Sequence, residues 1–146
     1  MKALVQRVEK AAVAIAGGPR REIGRGFVVL LGVAEGDTEA AALWLAAKTA
    51  KLRVFSNTEG KFDLSLADVG GQALVVSQFT LLGDCAKGCR PDFAGAARPE
   101  EAKKLYQAYV DALAREGIPV QTGEFGAHMD VEIHNNGPVT IMLERI

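Results

Sequence analysis

The chain has 146 residues, 49% of them hydrophobic, and its 17 basic and 18 acidic side chains leave a formal net charge of −1. This composition excludes an intrinsically disordered chain and a general coat for nucleic acid, and it predicts one domain over residues 1–146. The apolar runs are too short to cross a bilayer and charge appears early, so we expect a soluble, cytoplasmic protein with no membrane contact.

The first half of the chain predicts several strands around one helix. Apolar runs bounded by turn residues are typical of strands. Asp37 is expected to cap a helix from Thr38 to Lys51, with Glu39 near the positive helix end. The strands predicted here cover residues 2–9, 11–16, 20–24, 27–33 and 52–55.

The second half begins with a turn-rich segment at residues 56–71, followed by a predicted strand at 72–79 and a polar loop. A second helix opens with Pro99 at its first position and ends before Gly117. Two helices among many strands predict a mixed α/β sheet packed by helices. The last strands are predicted at residues 119–124, 128–134 and 139–145.

The strand predicted at 72–79 ends in polar side chains. Ser77, Gln78 and Thr80 follow its apolar run, and a loop rich in glycine and cations comes next, from Gly83 to Asp92. Ligands of α/β proteins usually bind beyond the carboxyl ends of strands. We therefore predict a binding or catalytic site at this position.

A zinc site is an alternative use of four side chains. Cys85 and Cys89 lie in the basic loop, and His128 and His134 have a spacing that loosely suits zinc. The two histidines fall on a predicted strand, where residues six apart are separated by ~20 Å, too far to share one ion. Two free thiols are therefore the favoured interpretation, and a disulfide and a metal-binding protein remain alternatives.

The segment Asn135–Thr140 has two interpretations. Taken alone, Asn136-Gly137 predicts a two-residue hairpin between strands. Pro138 fits this hairpin poorly, because it offers no backbone donor where the next strand begins. A Gly-Pro bond can also be cis at modest cost.

Taken together, Ser77-Gln78-Phe79-Thr80-Leu81 and Asn135-x-Gly137-Pro138-x-Thr140 resemble the D-aminoacyl-tRNA deacylase family. Gln6-Arg7-Val8 and the segment from Thr122 to Ala127, followed by Met129, resemble it as well. The resemblance runs from end to end of the chain. It implies an α/β fold in which mixed β-sheets form a barrel-like core with two main helices packed outside.

The resemblance also implies an activity. The family hydrolyses the ester of D-aminoacyl-tRNA, and of some mischarged glycyl-tRNA, as proofreading in translation and without a metal or organic cofactor. Its pocket for the 3′-terminal aminoacyl-adenosine would be lined here by the strand-end motif of Ser77, Gln78, Phe79 and Thr80.

The resemblance further implies a homodimer with composite sites. Gly137-Pro138 would be a cis dipeptide that one subunit inserts into the pocket of the other, where it excludes L-amino acids. Arg7 would brace the dipeptide, and Phe125 and Met129 would lie nearby. A rigid backbone wall suits such exclusion, because Gly137 has no Cβ and Pro138 has a fixed φ.

Thr80 is a candidate nucleophile. No histidine or lysine close in sequence is an evident base for it, and the family's catalysis is attributed largely to backbone groups and the terminal 2′-hydroxyl of tRNA. A positioning role is favoured, and the nucleophile alternative stays open. A non-catalytic module that binds the tRNA acceptor end is the alternative function.

Lys87, Arg90 and Arg98 are predicted to contact tRNA phosphates. The chain departs from the family pattern nearby, since the family usually has Arg at Cys89 and Ser at Asp92. These departures predict altered phosphate contacts or an altered preference among tRNAs. The family also often has Asp where this chain has Asn136.

Overall fold

A six-stranded mixed sheet lies at the centre of the computed structural model, which describes residues 1–146. Two helices pack against one face of this sheet, and neither is long and apolar enough to cross a membrane. In chain order the elements are β1 (Lys2–Ile15), β2 (Arg20–Ile23), β3 (Gly26–Gly32), α1 (Glu39–Lys51), β4 (Phe55–Ser56), β5 (Phe62–Leu64), β6 (Gln72–Ser77), a 3₁₀ helix (Phe79–Leu82), α2 (Pro99–Arg115), β7 (Val120–Thr122) and β8 (Met129–Glu144).

The sheet is nearly closed into a barrel. β1 pairs antiparallel with β3 and β2 along one edge and with β8 along the other, while β3, β6 and β7 run parallel. The path of paired strands is β2-β1-β3-β6-β7, and the sixth strand, β8, lies off this path and pairs with β1. Arg21 of β2 donates from Nη1 to the carbonyl oxygens of Thr122 (2.6 Å) and Gly123 (3.2 Å) beside β7, so the two ends of this order meet. This confirms the barrel-like α/β fold implied by the resemblance.

Alternation along β3 and β6 sends apolar side chains to both faces of the sheet. Phe27 and Val29 belong to a large core with residues of α1 and α2, whereas Val28 and Leu74 belong to a smaller cluster on the opposite face. A strand that is buried on both faces reads as a continuous apolar run, and the runs at 27–33 and 74–76 have this form.

One fully buried polar pair lies between the helices. The hydroxyl of Tyr109 donates to Thr49 Oγ1 over 2.8 Å. The hydroxyl of Thr49 in turn donates to the carbonyl of Leu45 over 2.8 Å. Burial raises the pKa of Tyr109, so its phenol stays a proton donor in this chain of bonds.

The predicted hairpin at Asn136-Gly137 is wrong. β8 continues from Met129 to Glu144, because both of its halves pair with the one long strand β1. The separate strands predicted at 2–9 and 11–16 are likewise one strand with register shifts. Asn135 spans the irregularity, since its Oδ1 accepts from the Val139 amide over 2.7 Å and replaces a ladder bond.

Several boundaries also differ from prediction. Thr38, not Asp37, caps α1, because its Oγ1 accepts from the Ala41 amide over 3.2 Å. The carboxylate of Asp37 instead accepts from the Met1 ammonium (2.9 Å) and the Ala34 amide (2.7 Å).

The strand expected at 72–79 stops at Ser77, where the 3₁₀ helix follows, and the strand expected at 52–55 is the short β4. The second helix begins at Pro99 as predicted.

The close approach of β3 and β6 predicts that Gly26→Ala is strongly destabilising. A Cβ at Gly26 would overlap the backbone carbonyl of Gln72, which cannot move without breaking the parallel pairing. We expect the free energy of unfolding, measured by urea titration, to fall by about 3 kcal/mol. The control Gly88→Ala adds its methyl to open space and should change it by less than about 0.5 kcal/mol. Equal unfolding midpoints for the two variants would contradict this account.

Candidate functional site

The polar end of β6 is held against β3 by backbone contacts. The Gln78 amide donates to the carbonyl of Leu31 over 2.8 Å, and the chain then turns into the 3₁₀ helix. Gly32 permits this turn, because a Cβ there would lie 2.7 Å from Leu82 Cδ2 and 3.1 Å from the carbonyl oxygen of Gln78. The turn leaves Phe79 and Thr80 exposed at the edge of the sheet.

A cavity of about 610 Å³ opens at this edge. Five of the side chains predicted for the pocket line it, namely Ser77, Gln78, Phe79, Phe125 and Met129. The remaining lining residues are mostly apolar: Val33, Val76, Phe93, Ala96, Ala97, Pro99, Ala102, Gly126, Ala127, His128 and Val131.

Phe93 and His128 are two of the lining residues that were not predicted as site residues. Phe93 meets Phe79 edge to face with ring centroids 5.0 Å apart, and Phe79 is 56% exposed. His128 was considered only as a zinc ligand, yet it lies on the cavity wall. His128 comes directly before Met129, in a segment that carries the family resemblance, and this position could have indicated that it lies at the site.

Tyr106 supports the cavity from behind. Its ring lies 6.0 Å from that of Phe125, and its hydroxyl donates to the carbonyl of Val75 in β6 over 2.8 Å. Burial raises the pKa of Tyr106 to about 12, so the phenol is protonated at neutral pH. Tyr106 is therefore a hydrogen-bond donor that fixes β6 and not a general base.

Thr80 does not line the cavity, and its hydroxyl lacks an activating base. The hydroxyl accepts a hydrogen bond from the side-chain amide of Gln78, and it has no other partner in the structure. An amide cannot remove a proton, so this arrangement orients the hydroxyl and does not activate it.

Arg7, Gly137 and Pro138 form a second group. Arg7 donates from Nε to the carbonyl of Asn136 (2.9 Å) and from Nη1 to that of Val54 (2.7 Å). Its Nη2 would lie 3.1 Å from a Cβ on Gly137. The Gly137-Pro138 peptide bond is cis, and both residues are exposed.

The two groups lie apart within one chain. Arg7 pairs with Phe27 of β3, whereas Ser77 pairs with Leu31, four positions further along the same strand. Four residues of a strand span ~13 Å. Phe125 and Met129 lie with Ser77 at the cavity, so a single chain does not bring them to the dipeptide.

The basic loop lies beside the cavity. The backbones of Asp84 and Asp92 exchange two hydrogen bonds of 2.8 Å and close the loop that carries Lys87 and Arg90. Arg98 is exposed one residue before Pro99, which lines the cavity.

The four side chains considered for zinc do not form one site. Cys85 and Cys89 are free and exposed in the basic loop, and no group of three potential metal-ligating side chains comes together in the structure. His128 lies one residue before β8 and lines the cavity, whereas His134 lies within β8.

Comparison with known proteins shows which family the sequence matches. Residues 4–144 match the family described as D-Tyr-tRNA(Tyr) deacylase. A D-aminoacyl-tRNA deacylase of Dehalococcoides mccartyi is 54% identical over 99% of this chain and 94% of its own. One of Pelobacter propionicus is 53% identical over 99% of this chain and 100% of its own.

Two solved structures share the fold. One, described as "c-Myc DNA Unwinding Element Binding Protein", superposes with a TM-score of 0.91 at 42% identity over 100% of this chain and 99% of its own. The other, a probable eukaryotic D-amino acid tRNA deacylase, gives 0.81 at 17% identity over 97% of each chain. By its sequence match over almost the whole length, the chain belongs to the D-aminoacyl-tRNA deacylase family.

Proposed function

We propose that this chain hydrolyses the ester of D-aminoacyl-tRNA, and of mischarged glycyl-tRNA, to free amino acid and tRNA. The observation that carries the proposal is that Ser77, Gln78 and Phe79 of the family's strand-end motif line the cavity at the end of β6. Since aminoacyl-tRNA is made and used in the cytoplasm, the proposal assigns the protein to chiral proofreading there.

Backbone amides are the proposed catalytic groups. The first amides of a 3₁₀ helix have no partner inside the helix, and here they belong to Phe79 and Thr80 at the cavity edge. Such donors would stabilise the oxyanion that forms when water adds to the ester carbon. The proton of that water passes to the ribose oxygen as the bond between this oxygen and the ester carbon breaks, which leaves free amino acid and tRNA. The aminoacyl ester is already activated, so this polarisation and a placed water suffice.

Exclusion of L-amino acids is proposed to come from Gly137 and Pro138. Gly137 has φ +136°, a conformation that L side chains rarely adopt, and Pro138 has a fixed φ. Arg7 holds the preceding carbonyl in place through its bond to Asn136. A wall of rigid backbone leaves room for hydrogen or a D side chain and clashes with an L side chain.

A homodimer would bring the wall to the cavity. In one chain the dipeptide is exposed and ~13 Å along the sheet from Ser77, so it is free to enter the cavity of a second subunit. We therefore propose composite sites, each with Ser77, Phe125 and Met129 from one subunit and Gly137-Pro138 from the other.

Lys87, Arg90 and Arg98 are proposed to contact phosphates of the tRNA acceptor end beside the cavity. The carboxylate of Asp92 accepts from the Ala94 amide over 2.8 Å, so it serves the local turn. Its charge, and the loss of a cation at Cys89, reduce the attraction of this loop for phosphate.

The proposal predicts selective hydrolysis of D-esters. Matched D- and L-tyrosyl-tRNA, incubated with the purified chain, should differ in kcat/KM by about 100-fold or more in favour of the D-ester, because the wall excludes the L side chain. Equal turnover of D- and L-tyrosyl-tRNA would contradict the exclusion mechanism. Saturable tRNA binding without cleavage of either would instead favour a non-catalytic binding module.

Gly137→Ala should lower activity while the protein remains a dimer. The added Cβ would lie 2.9 Å from Val139 Cγ2 and close to Arg7, so the wall must shift. We expect kcat/KM for D-tyrosyl-tRNA to fall by about 10- to 200-fold. Gly60→Ala is the control, because Gly60 also has a positive φ but an added methyl group there meets open space. This variant should retain activity.

Sedimentation of both glycine variants and the parent chain gives the second readout. A dimer in all three, with activity lost only in Gly137→Ala, agrees with the composite site. A monomeric parent chain that hydrolyses D-esters normally would contradict it.

Thr80→Ala should keep most of the activity. If Thr80 only positions neighbouring groups, kcat should stay within about tenfold of the parent value, whereas loss of a true nucleophile costs on the order of 10⁴–10⁶. Thr58→Ala, at an exposed turn, is the matched control. Complete loss of activity in a Thr80 variant with unchanged thermal unfolding would restore the nucleophile assignment.

A further inference from the structure

A second, smaller cleft lies next to the Gly137-Pro138 segment. It has a volume of about 140 Å³, large enough for a phosphate group but not for a whole nucleotide. Two arginines, one hydroxyl and one amide line it together with a single acid. The lining residues are Arg7, Val8, Glu9, Arg25, Phe55, Ser56 and Asn136.

The two guanidinium groups of this arginine cleft are oriented but not neutralised. Arg7 is fixed by its bonds to the carbonyls of Asn136 and Val54, and its Nη2 has no hydrogen-bond partner. Arg25 lies over the ring of the buried Phe55, with 5.1 Å between its Cζ and the ring centroid, and its side chain forms no hydrogen bond or ion pair. Stacking occupies the face of a guanidinium and leaves its N–H edge free for a ligand.

The chemistry of the cleft matches a phosphate group. Two planar cations with free N–H donors bind phosphate oxygens in pairs, and Ser56 and Asn136 add a hydroxyl and an amide to the lining. Glu9 is the only acid of the lining, and it forms no ion pair with either arginine. The lining therefore carries a formal charge of +1, from two arginines and one glutamate.

We infer that the arginine cleft binds a backbone phosphate of the single-stranded 3′ end of tRNA. This inference rests on the dimer proposed above, because Asn136 precedes the dipeptide that would enter the partner's cavity. The cleft then lies at the mouth of that cavity, where the nucleotides before the esterified adenosine leave the site. Arg25 thus serves the substrate held by the other subunit.

Binding of two probes by calorimetry tests the inference. The first is a trinucleotide of the tRNA 3′ end whose terminal adenosine carries D-tyrosine through a stable amide, and the second is the same adenosine conjugate without phosphates. Arg25→Gln should weaken trinucleotide binding about tenfold and lower its salt slope by about 0.7, because one phosphate contact is lost. Its affinity for the conjugate without phosphates should change less than twofold.

Arg115→Gln is the matched control, since Arg115 is exposed at the end of α2 and belongs to neither site. It should leave trinucleotide affinity unchanged. Unchanged affinity in Arg25→Gln, or equal losses for both probes, would overturn the inference, as would a parent chain that binds the two probes equally. Tighter binding of inorganic phosphate than of the trinucleotide would assign the cleft to a free phosphate instead.

Hydrolysis of D-tyrosyl-tRNA tests the proposed function separately from the arginine cleft. If the parent chain hydrolyses D-tyrosyl-tRNA and Arg25→Gln keeps full trinucleotide affinity, only the cleft inference fails. If the parent chain hydrolyses neither ester, the proposed function fails, whatever the probes show.

Discussion

The long antiparallel pairing of β1 with β8 is the constraint on which the rest of the structure depends. β1 pairs with β2, β3 and β8. It therefore connects the rest of the barrel to β8, the strand that contains Gly137-Pro138. The shift in register near Val8 leaves residues 136–139 outside regular pairing. Asn135 and Arg7 then supply, through their side chains, the hydrogen bonds that the ladder lacks there. These bonds hold the irregular backbone segment in place against β1.

Both parts of the proposed site use backbone more than reactive side chains. Thr80 has only an amide partner, and burial keeps Tyr106 protonated near neutral pH. What the cavity edge offers is a fixed turn, supported by Gly32 on one side and by the bond from Gln78 to Leu31 on the other. Such an arrangement suits an ester that needs only modest activation and a substrate that must be chosen by shape.

Local chemistry predicted much of the fold and less of the site. The start of α2 was predictable because Pro99, two glutamates and a regular apolar stripe all favour one answer. The continuity of β8 was not, because Asn-Gly is a strong hairpin signal and the competing partner, β1, lies more than a hundred residues away in sequence. His128 was missed for a similar reason, since its place at the cavity depends on how the start of β8 and the end of β6 come to line the same cavity.

The offset of ~13 Å along β3 between the positions of Arg7 and Ser77 in one chain has a consequence for kinetics. In the proposed dimer neither subunit holds a complete site, so catalysis becomes second order in protein at low concentration. Specific activity would then decline on dilution below the dissociation constant of the dimer, and substrate that spans both subunits would oppose this decline. Cellular abundance would set the proofreading capacity more steeply than in an enzyme whose site lies within one chain.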